Sequence, residues 1–240
     1  MSPAKCFHFL RLHTPMKINP SSIVNQSVCI LISMLLISTL GGCNIVAPAL
    51  YLVKGLPKIP AQHKLDKERT TVVFIDDPTS ALPRRTLRSS IAKRAEFELI
   101  QSKSLVNMVD ANSIQAAATR DTSDQGTSIV RLGQSVKADI VIYVWVDSFG
   151  LTPDGATYQP FATARVKVID VQAKSSRVWP ESFEGHPVAV KPVVRANEVP
   201  KSAAAQSKAQ DDLGAALGST IARLFYDSES RESVTTLRTE

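Results

Sequence analysis

Ile140–Val146 reads IVIYVWV, seven apolar and aromatic residues in a row without a charge. Such a run is typical of a strand that is buried on both faces, because a strand with one wet face alternates apolar and polar residues. Thr70–Ile75 (TTVVFI) has the same character and is followed by Asp76-Asp77-Pro78. These two segments predict the central strands of a sheet that needs cover on both faces.

Helical patterns lie around these strands. The spacing predicts a helix over Pro83–Gln101, and shorter helices over 112–118 and 127–136. A short strand is expected over 105–109, before the second helix. The apolar positions that recur every four residues in the first helix are Leu87, Ile91, Ala95 and Leu99.

The second half of the chain changes its pattern. Thr163–Val168 (TARVKV) alternates polar and apolar residues, which indicates an antiparallel strand with one wet face. A turn over 170–176 leads to a return strand over Arg177–Trp179, which Pro180 ends. An edge strand is expected near Val188–Val190, and Ser202–Tyr226 predicts a long amphipathic helix. The order β-α-β-α-β-β-β-α indicates an α/β (α+β) fold, a mixed sheet in two or three layers with the carboxy-terminal helix packed on it.

The amino terminus carries a targeting pattern. Val28–Leu40 is thirteen residues long and uncharged, too short to cross a bilayer but suited to the core of a signal peptide. It ends in Leu40-Gly41-Gly42-Cys43, which resembles the lipobox of bacterial lipoproteins. The resemblance implies that signal peptidase recognises Leu40, Gly41 and Gly42, and that Cys43 receives the lipid. The alternative is a buried helix followed by a Gly-Gly turn and an unrelated cysteine.

The signal peptide of 1–42 is longer than the usual ~15–30 residues. Initiation at Met16 would give an ordinary length, so we expect translation to begin there. Cleavage removes Lys5, Arg11 and Lys17 and lowers the formal net charge from +6 to +3. The pI of about 9.3 therefore belongs to the precursor and does not indicate a nucleic-acid partner. Cys43 is the one cysteine left, so no disulfide is expected.

The remaining chain divides into three expected parts. Residues 43–69 are expected to form the lipid anchor and a tether, because Pro48, Pro57 and Pro60 disfavour a long helix there. Residues 70–226 are expected to form a single globular domain, and residues 227–240 a frayed tail. Asn44 after the lipobox cysteine favours the outer membrane, by the same resemblance to bacterial lipoproteins. We therefore expect the domain to face the periplasm, held by the acyl chains on Cys43.

Four segments of the domain resemble a theme of envelope lipoproteins. They read VVFIDD (72–77), LVNMVDANSIQAA (105–117), KADIVIYVWV (137–146) and ARVKVIDVQAKSSRVW (164–179). Their order is similar to that of CsgG-like, LpoB-like and PelC-like lipoproteins and of the amino-terminal domain of TolB. The resemblance implies an accessory or scaffold role in the cell envelope.

Four aspartates follow predicted strands or turns. If the strands before Asp76, Asp77, Asp110 and Asp147 are parallel, these side chains share one edge of the sheet, where α/β sheets bind ligands. They would then form a cation site of oxygen ligands. The alternative, which we favour, is turn formation and helix capping. No metal site is predicted.

Basic residues form two candidate patches. Arg84, Arg85 and Arg88 open the first helix, where positive charge opposes the helix dipole. Either Asp76 and Asp77 pair with them, or the arginines bind an external anion or partner. A second candidate partner surface is the wet face of the predicted hairpin, with Arg165, Lys167 and Arg177. Trp145 and Trp179 are expected to anchor the core.

The sequence lacks the common catalytic signatures. It has no G-x-S-x-G elbow, P-loop or dinucleotide fingerprint, and its only histidines after Cys43 are His63 and His186. We therefore predict a non-catalytic, lipid-anchored accessory or scaffold that binds other envelope proteins and needs no cofactor. The alternatives are a periplasmic hydrolase that uses carboxylates and a module that binds a small ligand or the cell wall. The oligomeric state is left open.

Overall fold

A mixed sheet lies at the centre of the computed structural model, which describes residues 58–120, 128–173, 177–194 and 199–229. The elements in chain order are β1 (Lys58–Ile59), β2 (Thr71–Asp76), α1 (Thr86–Gln101), α2 (Ala111–Arg120), α3 (Ile129–Ser135), β3 (Ile140–Gly150), β4 (Phe161–Asp170), β5 (Arg177–Trp179), β6 (His186–Val190), α4 (Ala203–Arg223) and β7 (Ser228–Glu229). The predicted fold class is confirmed: the described residues form four helices and a mixed sheet, and α4 packs against that sheet.

The main sheet has the order β2-β3-β4-β5, and β6 also pairs with β4. Strands β2 and β3 are parallel, with Val73 opposite Ile142. Strand β4 is antiparallel to β3, and the register shifts between Val146 and Ser148. This β-bulge lies next to Asp147.

The two central strands are covered on both faces, as their apolar runs predicted. Alternate residues point to opposite sides of a strand, so each strand contributes to two separate cores. One core contains Val73 and Ile142 and is closed by α1 and α4. The other contains Val72 and Val141 and is closed by α2 and α3. The fold therefore has three layers over β2 and the first half of β3.

Helices α1 and α4 approach each other closely at two glycines. A Cβ atom at Gly218 would lie 2.5 Å from the Ile91 carbonyl oxygen. A Cβ atom at Gly214 would meet only side-chain carbons, the nearest being Ile91 Cγ1 at 3.3 Å. The backbones of the two helices can come this near only because residue 218 has no side chain.

Three local expectations differ from the structure. The strand expected over 105–109 is reduced to a single parallel bridge between Met108 and Thr71, because the chain turns at once into α2. Strand β3 continues through the bulge to Gly150 instead of ending at Val146. Ser228 and Glu229, which the sequence placed in the tail, pair with β1.

Residues before β2 also contact the domain. The Gln62 N–H donates to the Leu224 carbonyl oxygen at 2.8 Å, and Leu65 packs against the core closed by α1 and α4. The predicted signal peptide, the lipobox with Leu40, Gly41, Gly42 and Cys43, and the start at Met16 lie outside the described residues. None of the helices in the described part of the chain is long and apolar enough to cross a membrane.

Candidate functional site

The four helices that the structure describes leave half of one sheet face uncovered. Helices α2 and α3 cover Val72 and Val141, and their core reaches as far as Trp145. Beyond it, β4 alternates as predicted: Ala164, Val166 and Val168 are buried, whereas Arg165 and Lys167 remain partly exposed. The predicted wet face of the hairpin is therefore the open half of the sheet.

Arg165 is fixed at the centre of this open half. Its Nε and Nη2 donate to Asp147 Oδ1 at 3.0 and 2.6 Å, and its Nη1 donates to Glu184 Oε2 at 2.9 Å. The hydrogen bonds that Arg165 donates to Asp147 raise the pKa of Arg165. The guanidinium carbon lies 5.4 Å from the Trp145 ring centroid, within the range of a cation–π contact. Trp145, expected as a core anchor, thus packs on the core and also supports a cation.

Phe183 stands over the same face and is 77% exposed. Lys167 Nζ lies 5.0 Å and Arg177 Cζ 5.6 Å from its ring centroid. Gly185 has φ +93°, and a Cβ there would approach the Lys167 side chain at 3.2 Å, so a glycine is required where this segment passes over β4. We name Arg165, Lys167, Arg177 and Phe183 the cationic patch.

The cationic patch gathers three positively charged side chains on one face. Two carboxylates, Asp147 and Glu184, lie beside them and are both bonded to Arg165. Burial lowers the pKa of Lys167, and the charges of Arg177 and Arg165 lower it further. A negative group from outside would relieve this repulsion. The patch is thus suited to a partner that offers carboxylates.

The four aspartates do not form a cation site. Asp76 accepts the Tyr143 hydroxyl at 2.8 Å, Asp77 accepts the Ala81 N–H at 2.7 Å, and Asp110 accepts the Asn112 N–H at 2.8 Å. Asp147 is the partner of Arg165. Within residues 58–120, 128–173, 177–194 and 199–229, no three His, Cys, Asp or Glu side chains are close enough to hold a metal ion.

The three arginines at the start of α1 have separate surroundings. Arg84 Nη2 donates to Asp211 Oδ1 at 2.7 Å and so ties α1 to α4. Arg88 Nη2 donates to the Asp77 carbonyl oxygen at 3.1 Å. Arg85 is exposed at the helix start. Two of the three side chains are therefore used inside the fold.

A hollow of about 780 Å³ lies beside α4 near the carboxyl ends of the strands, and one of about 370 Å³ adjoins it. Tyr158, Val199 and Pro200 line both. Asp76, Asp77, Asp110 and Asp147 line neither of them. The aspartates suggested for a ligand site therefore do not face these hollows.

Both described histidines pack on Trp179. The His63 ring is stacked on it at 5.6 Å between centroids, and the His186 ring lies 4.9 Å away. Phe225 meets the same indole edge-on at 5.9 Å. Burial lowers the pKa of both imidazoles. Trp179 thus anchors the core, as expected.

A second surface carries apolar and acidic groups beyond the β2 edge. Phe97 and Ile100 on α1 are 54% and 49% exposed. With Lys93, Glu96, Met108, Val109 and Asp110 they line a shallow hollow of about 390 Å³. We name Glu96, Phe97, Ile100, Met108 and Asp110 the acidic pocket.

Glu96 is the unusual group in the acidic pocket. Its Oε1 accepts the Ala111 N–H, the first of α2, at 2.8 Å. Burial raises its pKa to about 7, and the neighbouring charge of Asp110 also raises it. The Ala111 N–H and the charge of Lys93 lower the pKa of Glu96 and offset only part of this shift.

The sequence did not reveal the acidic pocket or Phe183. Phe97 and Ile100 lie outside the apolar stripe of α1. Large apolar residues at such positions are exposed, and this feature of the sequence could have indicated a surface site. Phe183 lies in the polar stretch PESFEGHP (180–187), where no helix or strand periodicity marks an aromatic residue as part of a surface.

Comparisons with known proteins give weak similarities. No family model matches the sequence, and no curated protein matches it. A hypothetical protein of Chlamydia trachomatis is 14% identical, with 66% of this chain and 94% of that chain covered and a TM-score of 0.40. A PelC dodecamer from Paraburkholderia phytofirmans is 14% identical, with 70% and 94% covered and a TM-score of 0.38. Lipoprotein GNA1162 from Neisseria meningitidis is 10% identical, with 60% and 92% covered and a TM-score of 0.36. At these values the similarities carry no argument about function.

Proposed function

We propose that this chain is a lipid-anchored envelope lipoprotein that acts without catalysis, as an accessory or scaffold that binds protein through the cationic patch. The observation that carries the proposal is the fixed arrangement of the patch: an exposed Phe183 between two cations, next to an Arg165 held by two carboxylates. Aromatic residues and arginine are enriched at the centres of protein interfaces. Ordering these side chains in advance lowers the entropy cost of binding.

The anchor rests on the sequence. The thirteen-residue apolar run and Leu40-Gly41-Gly42-Cys43 support acylation at Cys43, and Asn44 supports sorting to the outer membrane. Cys43→Ser should abolish labelling by a radioactive or clickable palmitate and should leave an uncleaved precursor. Leu40→Asp is the matched variant, because it keeps the cysteine but removes the apolar recognition residue. Palmitate labelling of Cys43→Ser at the level of the natural chain would overturn the anchor.

The non-catalytic role is supported by how the carboxylates are used. Asp77 is buried and bonded to backbone N–H groups and to Arg88, and Asp76 holds the Tyr143 hydroxyl. A hydrolase would need a pair of carboxylates that converge on an open cavity. Asp76→Asn should leave the cellular function intact. A folded, localised Asp76→Asn protein that fails to complement a deletion strain would favour the hydrolase.

The protein contact can be tested in cells. The photoreactive residue p-benzoylphenylalanine replaces Phe183 in the full chain, and the control carries it at Val193, which is 72% exposed and outside both named surfaces. Irradiation should attach Phe183→benzoylphenylalanine, and not the Val193 variant, to a protein. If the two variants give the same products, or the Phe183 variant gives none, the patch is not a protein-binding surface.

A further inference from the structure

We infer that the domain docks on the phospholipid surface that holds its anchor, through four exposed apolar side chains that we name the apolar ridge: Ile59, Phe97, Ile100 and Val106. The inference rests on the proposed function, because it requires the acyl chains on Cys43. Three observations support it: the four side chains lie together, the charged groups around them suit phospholipid headgroups, and the chain that leads to the anchor enters the domain beside them.

The members of the apolar ridge lie together at the carboxyl end of α1. Phe97 lines one hollow with Ile100, and it lines another with the first residue of β7, the strand that pairs with Ile59. Val106 follows the end of α1, two residues before Met108, which lines the hollow of Ile100. Half of the eight exposed large apolar side chains of the described residues are therefore gathered at one place. Such a cluster marks an interaction surface, whereas apolar side chains scattered singly over a surface do not.

Cations accompany the apolar side chains of the ridge. Lys58 precedes Ile59 in β1, and Lys103 lies in the turn after α1. The guanidinium carbon of Arg94 lies 5.7 Å from the Phe97 ring centroid. Long basic side chains can lay their methylene groups against apolar surface while the charge reaches a phosphate. Apolar groups with cations around them are typical of surfaces that bind at the membrane interface.

The carboxylates beside the ridge are bonded within the fold. Glu96 Oε1 and Asp110 Oδ1 each accept an N–H of α2 at 2.8 Å. Glu98 Oε1 accepts Arg94 Nη2 at 2.7 Å, and Asp227 Oδ1 accepts an N–H that follows β1 at 3.0 Å. These donors offset part of the negative charge, so the carboxylates oppose headgroup phosphates less than solvated carboxylates would.

The chain that leads to the anchor enters the domain at the ridge. Lys58 is the first described residue, and the strand that it begins contains Ile59. Residues 44–57 join Cys43 to this strand, and fourteen residues span at most about 50 Å when fully extended. The acyl chains therefore hold the ridge near the bilayer and raise its effective concentration there. A contact of four side chains, too weak to recruit a free protein, is then sufficient to orient an anchored one.

Contact at the ridge leaves the cationic patch available to protein. Met108, beside the ridge, forms a bridge with Thr71, the first residue of β2. Arg165 of the patch pairs with Trp145, which pairs with Asp76, the last residue of β2. The two ends of this strand are about 17 Å apart, at ~3.3 Å per residue. A domain that docks through the ridge therefore holds the cationic patch away from the lipid.

The test uses the mature, acylated chain in vesicles of phosphatidylethanolamine and phosphatidylglycerol. Acylation of Cys43 leaves this chain without a free thiol, so Val106→Cys takes up a single nitrobenzoxadiazole fluorophore. The control is Val193→Cys, because the two valines are 67% and 72% exposed and Val193 is outside the ridge. Lipids that carry a nitroxide on the acyl chain should quench the fluorophore at 106 at least twice as strongly as the fluorophore at 193.

A second substitution tests whether this quenching depends on the ridge. Phe97→Asp puts a charge among the apolar side chains and should remove most of the excess quenching at 106. Its melting temperature should stay close to that of the natural chain, because the Phe97 side chain is exposed. Val199→Asp is the matched control, at an exposed position outside the ridge, and should leave the quenching unchanged.

Flotation of the chain with the vesicles separates this inference from the proposed anchor. Equal quenching at 106 and 193, in a chain that floats, overturns the ridge as the lipid contact and leaves the anchor standing. A blue-shifted fluorophore at 106 that nitroxide lipids do not quench means that protein covers the ridge, which also overturns the inference. Quenching that survives Phe97→Asp in a folded variant does the same. A chain that fails to float overturns both the anchor and the inference.

Discussion

Gly218→Ala should destabilise the protein, although an alanine is normally the better residue inside a helix. Glycine costs about 1 kcal/mol relative to alanine at an interior helical position, so propensity alone predicts stabilisation. In the structure, however, the added Cβ would lie 2.5 Å from the Ile91 carbonyl oxygen and 2.9 Å from Arg94 Cβ. Ordinary contact begins at 3.4 Å, so α4 would have to move by about 0.9 Å away from α1. Neither partner atom is the end of a flexible side chain.

The magnitude follows from these two opposing effects. Extra volume in a well-packed core costs ~1–3 kcal/mol, and a clash with backbone belongs at the upper end of that range. Subtracting the ~1 kcal/mol gain in helix propensity leaves a net loss of about 2 kcal/mol. For a domain of this size, that loss lowers the melting temperature by about 4–8 °C.

The assay is thermal unfolding of residues 56–240, followed by circular dichroism, with Gly214→Ala as the control. Gly214 lies one turn earlier on the same helix, and its added Cβ would meet only side-chain carbons of Ile91 and Leu87 at 3.3 and 3.4 Å. Gly214→Ala should therefore melt within ~2 °C of the natural sequence. The comparison removes the propensity effect, which is the same in both variants. If the melting temperature of Gly218→Ala equals or exceeds that of Gly214→Ala, α1 and α4 do not approach each other as closely as the structure indicates.

Four further substitutions test other parts of the structure. Leu217→Ala removes a fully buried side chain from the core between α4 and the sheet and should lower the free energy of unfolding by ~2–5 kcal/mol. The thermal melt should then show a single transition at a lower temperature. An unchanged melt would mean that α4 does not contribute to the stability of the domain. Burial raises the pKa of Glu96 from 4.5 in the unfolded chain to about 7 in the fold. The folded state therefore binds this proton more tightly, and the associated stability, present below pH 4.5, is lost as the pH rises to about 7. Glu96→Gln should thus raise the free energy of unfolding at pH 8 by about 1 kcal/mol, after allowance for solvent screening, and should give no gain at pH 4.5. Thermal melts at the two pH values measure this, and a gain of equal size at both would contradict the assignment. Asp77→Asn keeps one acceptor but removes the charge beside Arg88 and should cost ~1–3 kcal/mol, whereas Asp76→Asn can still accept the Tyr143 hydroxyl and should melt close to the natural protein.

The sequence by itself determined the elements and their burial. The apolar runs at 70–75 and 140–146 predicted two doubly covered strands, and alternation at 163–168 predicted the wet face of β4. The four-residue spacing of Leu87, Ile91 and Leu99 predicted the buried side of α1. The sequence predicted these features because buried residues recur along a helix or strand with the period of that element. This period involves only residues that are close together in the chain.

Only the tertiary structure decided which side chains meet. Strand register and the path of the 181–185 segment bring Glu184 to Arg165 and Phe183 to Lys167. The crossing of α1 and α4 turns Gly218 from a weak helix residue into a required one. The return of the chain after α1 sets Glu96 against the start of α2 and opens the acidic pocket between them. Each of these contacts depends on the relative placement of elements that are far apart in the chain, and the period of a single element carries no information about that placement.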